Sequence, residues 1–320
     1  MKKILVIGAA GMIGRKLVAR LRKDAGGELI QQDVVPFPEG IVPVPEGIVS
    51  DLSAPGEAEK LVAKRPDLIF HLAAVVSGEA EADFEKGYRV NLDGTRRLFE
   101  AVRKEAAKAG DGYKPRIVFT SSIAVFGAPF PEAIGDEFLS APLTSYGTQK
   151  AIDELLLADY SRRGIFDGIG IRLPTICVRP GKPNKAASGF FSGIIREPLA
   201  GQEALLPVPE TVRHWFASPR AAIGFLIRAA EINTELLGTR RNLSMPGLSA
   251  TVAEQIESLR RVAGEQAARL IRREPDQTIM RIVEGWPRNF DARRALALGF
   301  RADASFDDII RIHLQDELGR

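Results

Sequence analysis

Residues 3–14 read KILVIGAAGMIG, with glycines at 8, 11 and 14. Ile4–Ile7 is a short apolar run that reads as a buried strand. After Gly14, the apolar residues Leu17, Val18 and Leu21 recur at helical spacing. A strand, a turn with glycines three apart and a helix form the context in which a dinucleotide is held. Gly8 permits the tight turn, Gly11 lets the backbone approach a pyrophosphate, and Gly14 lets the helix pack closely on the strand. The helix N-terminus, at Met12 and Ile13, offers free N–H groups and a partial positive charge to the phosphates. Asp33 lies 19 residues past Gly14, at the end of a second predicted strand, Glu28–Gln32. A carboxylate there accepts hydrogen bonds from the adenosine ribose and repels a 2′-phosphate, which favours NAD over NADP.

The same alternation continues outward. Asp67–Leu72, Arg116–Thr120 and Gly168–Leu173 read as buried strands. Phe84–Lys108 reads as one long helix, and Tyr146–Tyr160 as a helix with Ile152, Leu155 and Leu156 on one side. Strands alternating with helices indicate an α/β, Rossmann-like, doubly wound parallel sheet covered on both faces. Past Pro174 the prolines at 180, 183, 198, 207, 209 and 219 break the chain into shorter pieces. Such a region suits a smaller, interleaved C-terminal lobe over the sheet's carboxyl edge, where substrates bind. The expected division is 1–173 for the nucleotide-binding domain, with a return segment near 213–244, and 174–320 mainly for the substrate lobe. Val252–Gly264 reads as the last clear amphipathic helix.

Bulk composition excludes other classes. Forty-four basic residues against 41 acidic ones leave a net charge of +3. Without a basic run, nucleic acid is not an expected partner. No apolar stretch approaches the length of about 20 residues that spans a bilayer. The apolar run after Lys2-Lys3 is too short for a signal peptide. The single cysteine, Cys177, reads as a packed core residue and suits the reducing cytoplasm. Three scattered histidines give no metal site, and His71 reads as structural.

Tyr146 and Lys150 are spaced i, i+4 on one helical face. A free tyrosine titrates near 10. A neighbouring ammonium and an oxidised nicotinamide ring favour its phenolate, which can take a proton from a substrate hydroxyl. Ser121 and Ser122 end a predicted strand upstream, where a hydroxyl can orient the substrate oxygen; Ser122 is preferred.

Together GAAGMIG (8–14), Asp51-Leu52, HLAA (71–74), VNLDGT (90–95), TSSIAVFG (120–127), YGTQK (146–150) and DARRALALGF (291–300) resemble the extended short-chain dehydrogenases/reductases. That family includes the NAD-dependent epimerases and dehydratases. The resemblance implies a catalytic set of Ser122, Tyr146 and Lys150, with Lys150 also on the nicotinamide ribose. It places Asp51 and Leu52 beside the adenine, and Leu72, Ala73, Ala74 and Thr120 along the cofactor. Asn91 then lies near the site, and Pro174 and Thr175 near the nicotinamide amide. It also implies a homodimer through the helices near 84–108 and 146–161.

Sugar-nucleotide members often carry a tyrosine where this chain has Phe126, and residues 173–191 depart from their usual text. Residues 71–95 and 178–222 instead resemble a branch that oxidises the four-carbon sugar acid D-erythronate at C2, using NAD. A nucleotide-sugar epimerase or dehydratase that retains NAD, a uronate dehydrogenase, and a non-catalytic NAD-sensing protein are the alternatives. A carboxylate substrate needs a cation, and Arg179, Lys182, Lys185, Arg213 and His214 are available. Arg213 is preferred by the resemblance; Ser77 and Trp215 are further pocket candidates.

Overall fold

The computed structural model describes residues 2–24, 27–37, 47–181 and 187–320. Lys182 and Lys185 lie outside the described residues. In chain order the strands are β1 Lys3–Ile7, β2 Glu28–Asp33, β3 Ile48–Val49, β4 Leu68–His71, β5 Arg116–Ser122, β6 Asp167–Leu173, β7 Thr175–Ile176, β8 Ala204–Leu206, β9 Arg213–Ala217, β10 Asn242–Ser244, β11 Leu248–Thr251 and β12 Ile271–Arg273. The helices are α1 Met12–Asp24, α2 Glu57–Val62, α3 Ser77–Ala82, α4 Phe84–Gly87, α5 Gly94–Ala109, α6 Ser145–Arg162, α7 Gly189–Leu199, α8 Pro219–Glu231, α9 Val252–Ala263, α10 Glu265–Arg269, α11 Gln277–Glu284, α12 Arg293–Ala297 and α13 Phe306–Glu317.

The chain forms two compact units. One comprises Met1–Ser122, Thr144–Arg172 and Phe225–Leu243; the other comprises Ile123–Leu143, Leu173–Gly224 and Ser244–Arg320.

The first unit is built on a seven-stranded parallel sheet in the order β10-β6-β5-β4-β1-β2-β3. From β1 the chain runs outward through β2 and β3, then returns to β4 on the other side of β1. That reversal makes the carboxyl ends of β1 and β4 a topological switch point, where open α/β sheets bind ligands. The register aligns Ile7 with Gln32 and His71, and His71 with Phe119. Gly8, Leu72 and Thr120 therefore stand level at the carboxyl end of the sheet. Leu5, Ile69, Phe99 and Phe119 belong to one buried cluster of this unit.

Phe84–Lys108 is not one regular α-helix, because residues Tyr88–Asp93 form a π-helical turn between α4 and α5. Hydrophobic spacing does not register the extra residue, since the apolar face resumes on either side. The second unit has a three-stranded sheet, β11-β9-β7, and the pair β12-β8. Its core includes Phe191, Ile194, Phe216, Leu259 and Phe306. A further amphipathic helix follows the expected last one. In α13, Phe306, Ile309, Ile310 and His313 are buried at i, i+3, i+4 and i+7, and Ser305 caps it by accepting from Asp308 N at 3.1 Å. Among the described residues, no helix is long and apolar enough to cross a membrane.

One polar knot ties the edge of the large sheet. Arg116 on β5 donates Nε to Asp167 Oδ2 on β6 at 2.8 Å, and its Nη1 reaches the carbonyls of Ala229 and Ile232 at the end of α8. Thr234 and Arg241 also donate to Asp167. Burial alone would raise the Asp167 carboxyl; Thr234, Arg116 and Arg241 outweigh it and hold the group below its usual 3.8. Because the folded pKa is depressed, this stabilisation is complete above the unfolded pKa and is lost as pH falls through the folded one. Asp167→Asn is expected to cost about 2 kcal/mol at neutral pH. In urea melts the difference from wild type should shrink as pH drops below about 4; a difference independent of pH would refute the assignment.

Candidate active site

The glycine loop has separate reasons for its three glycines. Gly8 sits at φ +87°, and a Cβ there would lie 2.6 Å from Ala73 N. At Gly14 a Cβ would lie 2.1 Å from Gly8 O and 2.7 Å from Ala9 Cα, so α1 could not pack on β1. Gly11 is different: it is exposed, and a Cβ would meet nothing closer than Gly8 O at 3.4 Å. The chain's own packing does not demand glycine at 11, whereas a pyrophosphate lying against the loop does. The first amides of α1, at Met12 and Ile13, have no carbonyl one turn earlier within the helix and suit the same phosphates.

Asp33 is buried at the end of β2 and shapes the loop directly. Its Oδ2 accepts from Ala10 N at 2.8 Å and its Oδ1 from Val35 N at 3.2 Å. Gln32 O accepts from both Gly8 N and Ala9 N, at 2.9 and 3.0 Å. Arg15, on the first turn of α1, is half-buried, and its Nε has no hydrogen-bond partner among the described residues. Asp51 accepts from Ser53 N and Oγ at 2.9 and 2.6 Å, and pairs with Arg89 at 2.8 Å. Burial would raise its carboxyl, but these bonds hold it below the usual range. Leu52, next to it, is buried.

Leu72–Ala74 run half-buried beside Gly8. His71, just before them, is 1% exposed, and burial pushes its imidazole down to about 3, so it is neutral. Thr120 donates to His71 O at 3.0 Å. Asn91 has its amide committed to the protein: Oδ1 accepts from Val75 N at 2.7 Å, and Nδ2 donates to Val75 O at 3.0 Å and Gln149 Oε1 at 2.7 Å. It therefore clamps the loop after β4 to α6. Ser77 opens α3, half-buried.

Tyr146 and Lys150 stand on α6, whose N-terminus is capped by Thr144 accepting from Gly147 N and by Glu81 accepting from Ser145 N. Tyr146 is half-buried. Lys150 is 1% exposed, its Nζ 4.6 Å from the Phe119 ring centre and 5.9 Å from that of Tyr146. Burial pulls the ammonium down to about 8, against the opposing pull of Asp153 and Glu154. The two serines separate cleanly. Ser121 is buried and donates to Glu154 Oε1 at 2.6 Å, while Ser122 is half-exposed at the end of β5. Glu154 also takes Arg172 Nε at 2.8 Å and Nη2 at 2.7 Å. The motif-based reading did not include Glu154, Arg172 or Asp153. The visible signals were an Asp-Glu pair one turn past Lys150 and an arginine inside the apolar run of β6.

The remaining candidates belong to the second unit. Pro174 is buried, and Thr175 Oγ1 lies 2.7 Å from His214 Nε2. His214 stacks on Phe191, and burial lowers it to about 4, so it is no cation at neutral pH. Arg179 gives Nε to Ile176 O at 3.1 Å. Arg213 gives Nη1 to Ser249 O at 2.9 Å and meets Glu254 at 3.3 Å. Trp215 is 6% exposed, with Nε1 donating to Met245 O at 3.2 Å and its ring against Phe290. Cys177 is fully buried and pushed up to about 12, as a packed thiol is.

A phosphate-binding loop at the switch point, followed by Ser, Tyr and Lys around β5 and α6, is the arrangement of a nicotinamide-dependent short-chain enzyme. The chain belongs to the NAD dependent epimerase/dehydratase family, whose model matches residues 4–217, and its cofactor is NAD. Among curated relatives it is 47% identical to a D-erythronate dehydrogenase of Cupriavidus necator, over 98% of each chain. It is 40% identical to that of Haemophilus influenzae, over 99% of this chain and all of the other. It also matches the crystal structure of a protein described as a nucleoside-diphosphate-sugar epimerase from Agrobacterium tumefaciens, with TM-score 0.93, 66% identity, and coverage of 99% and 95%.

Gly14→Ala forces a contact that neither backbone can relieve. NAD affinity measured by calorimetry is expected to fall by about tenfold or more, on the order of 1.4 kcal/mol, with a lowered Tm. Wild-type affinity in a folded Gly14→Ala protein would contradict the loop assignment.

Proposed function

We propose that the protein oxidises a small sugar acid with NAD, and that the acid is D-erythronate, converted at C2 to 2-dehydro-D-erythronate. The observation that carries this reading is the pairing of Tyr146 with the buried Lys150, with a half-exposed Ser122 ending β5, in a chain nearly co-extensive with two D-erythronate dehydrogenases.

Ser122 Oγ holds the oxygen of the reacting alcohol. Tyr146 Oη removes its proton, because the ammonium of Lys150 lowers the cost of forming phenolate. Bound NAD supplies the hydride acceptor. Asp33 takes the adenosine ribose, Gly11 and the first amides of α1 take the pyrophosphate, and Asp51 and Leu52 flank the adenine. Leu72–Ala74, Thr120, Pro174 and Thr175 complete the cofactor lining. Asn91 acts one step removed, through the loop it clamps.

For the substrate carboxylate, Arg213 remains the first choice, with Arg179 as second; Glu254 competes for the Arg213 guanidinium. Ser77 is a pocket candidate on α3. Trp215 is the weaker candidate, since its indole N–H is already used internally.

The 66% identical structure described as a nucleoside-diphosphate-sugar epimerase supports a second reading, in which NAD is retained and the hydride returned. Absorbance separates the two. D-Erythronate should yield NADH stoichiometrically, and Tyr146→Phe should lower kcat by about 100-fold or more with NAD binding nearly intact. UDP-sugar turnover without net NADH, alongside silence on sugar acids, would overturn the first reading.

A homodimer in the cytoplasm completes the proposal. The buried face of α6 is largely polar, while Leu155 is 72% exposed and Ile152 half-exposed. An exposed apolar edge of this kind suits a second copy of the chain. Sedimentation is expected to give twice the monomer mass for wild type and the monomer mass for Leu155→Glu; a monomeric wild type would exclude the dimer.

A further inference from the structure

The buried face of α6 carries more charge than the proposed reaction uses. Lys150, Asp153 and Glu154 are spaced i, i+3 and i+4, and none is more than 3% exposed. Glu154 is saturated: Arg172 from β6 grips both its oxygens, and Ser121 from β5 donates to Oε1. Arg172 thereby offsets much of its charge, and the pull of Glu154 on Lys150 is smaller than that of Asp153. Asp153 is fully buried, and neither of its carboxylate oxygens has a hydrogen-bond partner among the described residues.

The surroundings supply little else. Thr95 of α5 lies against Asp153 and lowers its carboxyl by less than Lys150 does; its hydroxyl hydrogen goes to Asn91 O at 2.5 Å, and it also meets His71 Nε2 at 2.9 Å. His71 of β4 is neutral, held near 3 by burial. Phe119 of β5 offers only its ring to the Lys150 ammonium. Tyr146 and Glu154 are the other ionisable groups on this face of α6. An ammonium removed from water releases its proton unless an opposite charge holds it, and a buried carboxylate binds one for the same reason. Burial acts in those directions here, lowering Lys150 and raising Asp153, and each opposes the shift of the other.

We propose that Asp153 is the counter-ion of Lys150, a positioning residue that touches no substrate atom and keeps the proton on Lys150 Nζ. The consequence for catalysis rests on the dehydrogenase reading. Without the Asp153 carboxylate, Lys150 loses its proton at lower pH, the positive charge beside Tyr146 disappears at neutral pH, and the phenol titrates higher.

Asp153→Asn is nearly isosteric and removes only the charge. The acid limb of kcat/KM for D-erythronate oxidation should move up by about one pH unit, and Asp153→Glu should return it toward wild type. A uniform loss of rate with an unmoved limb would reduce Asp153 to a packing role and overturn the proposal. The pair is also testable without turnover, by a urea double-mutant cycle with Lys150→Met. Each single change leaves one buried charge unpaired, so the double variant should be more stable than additivity allows. Additive losses, or a double variant as unfolded as Asp153→Asn should that single change fail to fold, would overturn the pair. Because the cycle needs no substrate, a wild-type protein that makes no NADH would sink the dehydrogenase reading alone.

Discussion

The approach of α1 to β1 is the constraint on which the nucleotide-binding half depends. Gly14 brings the helix so near the turn that a single methyl would overlap Gly8 O. With that contact made, the carbonyl of Gln32 can take two loop amides and Asp33 a third. The carboxylate proposed to hold the ribose is thus also part of the scaffold of the glycine loop. Close packing of this kind tolerates no added volume, which is why the motif is written in glycine.

The second controlling feature is α6, a helix whose interior face is polar. Most surface helices bury an apolar stripe. Here Gln149, Lys150, Asp153 and Glu154 face inward beside Leu157, and Leu155 lies outward, 72% exposed. Burying charge is costly unless every group has a partner. The cost is tolerated where it shifts a functional group: a lysine without water sits beside Tyr146, and Arg172 cancels the carboxylate of Glu154. Breaking such a buried pair by removing one partner costs on the order of 3–5 kcal/mol. Reaction chemistry and fold stability therefore share one helix face.

Legibility in the sequence followed the range of the interaction involved. The strands of the large sheet and α1 were readable because local apolar runs and glycines report local geometry. α13 carries equally local signals, a Ser305 cap and an i, i+3, i+4, i+7 face, although it follows a region broken by prolines. The π-helical turn at Tyr88–Asp93 left no hydrophobic signature. Asn91, expected near the site, lies in this turn and binds Val75 and Gln149 through its amide. Ser121 and Ser122 are chemically identical in sequence, and only strand pleat and a glutamate 33 residues away distinguish them.

By itself, then, the amino-acid sequence determined the glycine turn, the carboxylate at its second strand, and the tyrosine–lysine spacing, because each lies within one or two adjoining elements. Tertiary structure alone decided which charges are dry. Whether Lys150 has water, whether Glu154 has an arginine, and whether Asp153 has any cation besides Lys150 depend on β4, β5, β6 and α5 meeting over one helix. No local spacing reports solvent exclusion, and solvent exclusion sets the protonation on which the proposed chemistry turns.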